Sequence, residues 1–151
     1  MMKTHHQDAY GINNFIACPV PQSLYRCITP EQRAEGMNRM IDDAMCLLHI
    51  DFRDNAYWTG SKTDLMELVT MLQLSGRIVG ADGRPASLKF LATQIFARLH
   101  LALPYNIYQL ASASTRRKGR MCSPLWLRYC RDMYLLGNRW PLKDCVLKLS
   151  C

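Results

Sequence analysis

A chain of 151 residues makes one ordinary domain, or one domain with an appended arm, and its 49% hydrophobic content excludes wholesale disorder. The net charge of +7 and the pI near 9.2 admit an anionic partner such as nucleic acid or a membrane surface, and carry no information about fold. No apolar run approaches the roughly 18 residues that a bilayer-spanning helix needs.

Residues 1–28 read as an irregular arm, broken by Gly11, Asn13, Asn14, Pro19 and Pro21. The first helix begins at "TPEQ". Thr29 caps it, Pro30 takes the first helical position, and Gln32 completes a capping box. Met37, Met40, Ile41, Ala44, Leu47 and Leu48 then form one apolar face, which predicts a helix to about His49. The second helix lies in "GSKTDLMELVTMLQLSG". Ser61 is its cap, Leu65, Leu68, Val69 and Leu72 its buried stripe, and Gly76 its left-handed end.

"RIVGADGRP" predicts a short extended segment over Arg77–Val79, then a turn, with Pro85 opening a third helix from about Ala86 to Leu101. That helix places Leu88, Leu91, Ala92, Ile95, Phe96 and Leu99 on one face, and Pro104 stops it. "YNIYQLASAS" predicts a shorter fourth helix that buries Ile107, Leu110 and Ala111. It leads straight into "TRRKGR". "SPLWLRYCRDMYLL" starts a fifth helix, with Ser123 as cap, Pro124 at the first position, and Leu127, Cys130, Met133 and Tyr134 inward. The tail contains "CVLKLSC", which fits either a short strand or an extended packed segment.

The expected fold class is therefore mainly α, a compact helical domain with the pattern of a helix-turn-helix protein, which many helical bundles share. Expected boundaries are the arm at 1–28 and a single domain at 29–151. Within that domain the first helix occupies 29–50, a further helical region 57–136 and the tail 137–151.

Charge is unevenly spread. Residues 1–97 carry nine Lys/Arg against ten Asp/Glu, whereas residues 98–151 carry ten Lys/Arg against only Asp132 and Asp144. An asymmetry of this kind points to polyanion binding. The seven cysteines are odd in number, irregular in spacing and without a CxxC pair, which argues against a disulfide framework, a zinc ribbon or a redox motif. "MMKTHHQDAYG" lacks the apolar core of a signal peptide. The expectation is a reduced, soluble, cytoplasmic protein.

From Trp58 onward the sequence resembles the C-terminal part of the RteC family, regulators associated with excision of bacterial conjugative transposons. The likeness rests on W-x-x-S-K-x-x-L-x-E-L, here Trp58, Ser61, Lys62, Leu65, Glu67 and Leu68. A helix ending near Phe96 follows, then a tyrosine-bearing helix closing in an R-x-R-K-type run, here Arg116, Arg117, Lys118 and Arg120. It covers roughly residues 57–134. The resemblance implies a winged-helix-like, DNA-binding region over 57–136. The chain departs from the family pattern in a shortened N-terminal helical region and in the tail.

On this reading the partner is double-stranded DNA, bound by a transcription regulator that is not an enzyme. Arg116, Arg117, Lys118 and Arg120 would grip phosphate at the end of the fourth helix, with Arg128 and Arg131 extending the field from the next one. Asn106, Gln109, Ser112 and Ser114 are the candidate base readers, since amides pair with adenine. A homodimer is compatible with half-site reading. The alternative is a non-enzymatic protein–protein interaction module that kept the fold without DNA binding. Trp58 and Trp126 read as core anchors and Ser61 as a cap rather than a nucleophile. Cys46, Cys122 and Cys130 read as small buried hydrophobes. No cofactor or metal is expected, because His5, His6, Cys18 and Cys27 fit no zinc spacing and "GRIVGADG" lacks the Lys-Ser/Thr of a phosphate-binding loop.

Overall fold

Thr29 starts the first helix as its sequence predicts. Its hydroxyl accepts from the Gln32 amide at 3.0 Å, and the Gln32 side chain accepts from the Thr29 amide at 3.0 Å. The computed structural model describes residues 26–116 and 124–148. Of the expected arm, only residues 26–28 fall within them, as a turn leading into the cap. Helix α1 runs Pro30–Leu47 and buries Gly36, Met40, Ala44 and Leu47.

Strand β1, Ala56–Trp58, points Ala56 and Trp58 inward and Tyr57 outward. The Trp58 indole donates to the Ser61 carbonyl at 2.9 Å while Ser61 Oγ accepts from the Asp64 amide at 3.0 Å. One serine thus anchors the tryptophan and caps helix α2, Lys62–Ser75. Gly76 ends α2 at φ 68°, where a side chain would strain the backbone.

The sequence predicts one buried stripe on α2. The structure instead buries almost its whole circumference from Asp64 to Thr70, together with Leu72. The reason is placement: α2 touches α1 and the three later helices, so a face that periodicity leaves to solvent is covered. Fully burying each large apolar side chain here contributes about 1.5–3 kcal/mol.

Helix α3 spans Leu88–Arg98, shorter at both ends than expected. Ser87 is its cap, accepting from the Phe90 amide at 3.1 Å, while Pro85 is held in a bridge to Val79. Its C-terminal end precedes Pro104 because His100 adopts φ 58°, and His100 Nε2 donates to the Asp54 carbonyl at 2.7 Å. Helix α4 runs Ile107–Thr115 and packs on α2.

Helix α5, Leu125–Cys130, continues as a π-helical turn over Arg131–Leu135, closed by the Leu136 amide donating to the Arg131 carbonyl at 3.1 Å. Pro124 stands at its N-cap, and the expected cap Ser123 lies outside the described residues. A 3₁₀ turn, Pro141–Asp144, leads to strand β2, Val146–Lys148. That strand pairs antiparallel with β1, Trp58 opposite Val146 and Ala56 opposite Lys148. The tail therefore pairs with the segment before α2, not with Arg77–Val79. The fold is mainly helical, with a two-stranded ribbon whose Ala56 and Trp58 join the core.

Candidate nucleic-acid interface

Helix α4 owes its orientation to small and branched residues on one side. Ile107, Ala111 and Ser114 are buried and Leu110 half-buried, at helical spacing, against α2. Tyr108, Gln109, Ser112 and Arg116 are all exposed on the opposite side. The result is a clean division: one face belongs to the core and the other to solvent.

The proposed base readers separate accordingly. Gln109 and Ser112 lie on the exposed face. Asn106 is half-buried at the N-cap position and makes no side-chain capping bond. Ser114 is a correction. It is 2% exposed and donates its hydroxyl to the Ala111 carbonyl at 2.7 Å, so it faces α2 and cannot reach a base.

The proposed phosphate contacts divide too. Arg116 is exposed at the C-cap of α4, and its Nη1 donates to Ser112 Oγ at 2.5 Å. A cation at that end also meets the negative pole of the helix dipole. Arg117, Lys118 and Arg120 lie outside the described residues. Arg128 is the clearest correction. It is 0% exposed, and its two terminal nitrogens donate to the Asp64 carboxylate at 3.2 and 2.5 Å. A guanidinium in that position ties α5 to the start of α2, and no phosphate can reach it. Arg131 is likewise mostly covered, donating to Asp132 at 2.9 Å.

Other cations of the basic third have structural duties. Arg98 donates to the Ile50 carbonyl at 2.5 Å and stacks 4.3 Å over Phe52. Lys143 sits 5.0 Å over Trp140. The charge asymmetry of the sequence thus overstates the charge that this third of the chain presents outward, because Arg98, Arg128 and Arg131 are engaged within the molecule.

Sequence reasoning missed two residues of the exposed face. Tyr105 is 99% exposed just before α4, and Tyr108 is 64% exposed on its first turn. For Tyr108 the signal was present: it stands one residue after the buried Ile107 and two before the half-buried Leu110, spacings that turn it out of the buried stripe.

Behind this face, α5 is fixed to α1. Tyr129 donates its hydroxyl to Asp43 at 2.5 Å, and burial, reinforced by that carboxylate, holds the phenol well above its ordinary value. Tyr134 pairs with Glu35 in the same way. Burial pushes the Cys130 thiol up to about 11, consistent with the small buried hydrophobe expected there. Cys46 is a correction, since it is exposed, and Cys122 lies outside the described residues. Trp58 is the expected core anchor at 7% exposure, while Trp126 is half-buried with Arg33 stacked 4.3 Å over its ring.

Carboxylates at and just beyond the end of α1 are likewise engaged structurally. Asp42 pairs with Arg77, and Asp51 with Arg53 at 3.0 Å. Among the described residues no group of three or more His, Cys, Asp or Glu side chains gathers as a metal site, and no helix is long and apolar enough to cross a membrane. No family model, no curated protein and no solved structure matches the chain.

Proposed function

We propose that the protein is a DNA-binding transcription regulator, similar to those that control excision of bacterial mobile elements. It lays the exposed face of α4 on duplex DNA and grips phosphate with the basic run that follows. The observation that carries this reading is the division of α4. One side is spent on α2, and the other presents Tyr108, Gln109, Ser112 and Arg116 directly before Arg117, Lys118 and Arg120.

In this reading α3 and α4 are the two helices of a helix-turn-helix-like unit, with α2 as its scaffold. The connection from Leu99 to Asn106 is longer than the three- or four-residue turn of the simplest such motifs, so the unit is a variant of that plan. The RteC-like reading adds a wing, and the strand pair available for one among the described residues is β1 with β2. The protein would act in the cytoplasm without a cofactor, and pairing of two copies would suit half-site reading.

Fluorescence anisotropy with duplex DNA across a salt series tests the proposal. Four phosphates neutralised by residues 116–120 give a slope of log affinity against log salt of about −3.6. Arg116→Glu with Arg117→Glu should make the slope shallower and collapse affinity while the melting midpoint hardly moves. Absence of duplex binding at low salt would overturn the reading and favour a protein partner for the same face.

A further inference from the structure

The exposed face of α4 carries a selective chemistry. Over its first two turns it offers a phenol ring at Tyr108, an amide at Gln109 and a hydroxyl at Ser112, with Tyr105 standing free at 99% exposure just ahead of them. No cation occurs on α4 before Arg116, at the far end. Asn106, half-buried at the helix start, lies off this line.

In the major groove each of these groups has a preferred partner. A carboxamide pairs bidentately with the N6 and N7 of adenine, and an apolar surface packs on the C5-methyl of thymine. Guanine, by contrast, is read chiefly by the fork of arginine or by lysine. The ring of Tyr108 and the amide of Gln109 are adjacent residues, so they can address the two members of one base pair or of neighbouring pairs. Helix α4, at nine residues, is about 13 Å long and so spans roughly four base pairs.

We infer that α4 specifies A·T base pairs, with Gln109 reading adenine and Tyr108 seated on a thymine methyl. Arg116, exposed at the far end of the helix, supplies affinity without sequence. This inference rests on the DNA-binding reading above and deepens it.

The test uses the full chain and three duplexes. The first carries an A·T core taken from selection out of a random duplex pool, the second has that core's thymines replaced by uracil, and the third has the core replaced by G·C. Wild type should prefer the first over the third by roughly ten-fold or more. Gln109→Ala should erase that preference while keeping the salt slope. Uracil replacement should weaken wild type several-fold and leave Tyr108→Ala unaffected. Both side chains are exposed, so circular dichroism of the variants should match wild type.

Duplex binding with a selected G·C core, or with no preference at all, would overturn the inference and leave DNA binding standing. No duplex binding by wild type would overturn both readings.

Discussion

Arg128 and Asp64 show at the scale of single residues why a cation in a sequence is not yet a cation on a surface. Asp64 is 1% exposed at the N-terminal turn of α2, and Arg128 meets it with two nitrogens. Deleting one partner strands the other charge in a place that water does not reach. Arg128→Ala should therefore lower unfolding free energy by about 3–5 kcal/mol in urea denaturation. Replacing both residues with apolar ones of similar volume should recover much of that loss, because such pairs offset desolvation only narrowly. A cost below about 1 kcal/mol for Arg128→Ala would mean that the pair is solvated. From sequence, Arg128 and Arg131 read as one basic face. What separates Arg128 from Arg116 is a carboxylate 64 residues away, which no local pattern contains, whereas Arg131 meets Asp132 beside it.

At the scale of elements, helix periodicity and capping chemistry were legible and their ends less so. Thr29, Ser61 and Gly76 occupy the capping positions expected of them, because caps are decided by residues within one turn. Helix α3 is shorter than predicted because two contacts bound it, the Val79–Pro85 bridge across the turn before it and the long-range His100–Asp54 bond after it. The contact of α1 with α5 was invisible in sequence and depends on Gly36. A Cβ there would lie 2.5 Å from Cys130 Sγ but 3.8 Å from Cys130 Cβ. Glycine inside a helix costs about 1 kcal/mol against alanine, so the close approach is what retains it. Gly36→Ala should destabilise by about 1–3 kcal/mol through overpacking. Combining it with Cys130→Ala should cost clearly less than the sum of the two single changes, measured as a double-mutant cycle. Additive behaviour would show that the helices can simply move apart.

For the whole molecule, the tail that sequence left between strand and coil is a closing element. Leu142 and Cys145 are buried in the core, and the Cys145 carbonyl accepts from the Thr59 amide at 2.8 Å. A chain ending at Asn138 should keep its helical circular dichroism at low temperature and melt earlier. The expected loss is about 3 kcal/mol or more, from the exposed core surface and the lost ribbon. An unchanged melting midpoint would make the tail an appendage. The mainly helical class followed from short apolar periods, each readable within a dozen residues. The ribbon did not, because three-residue strands carry almost no periodic signal and owe their existence to each other.

That mutual dependence sets a schedule for synthesis. The residues that pair with Ala56–Trp58 lie about ninety positions further along. At 5–20 residues per second a ribosome takes roughly 5–18 s to make that stretch. Throughout that interval the nascent chain holds Trp58 and the start of α2 without their cover. Folding of this domain is therefore completed late, and its helices must wait as a partly open cluster, within reach of any chaperone that binds exposed aromatic surface.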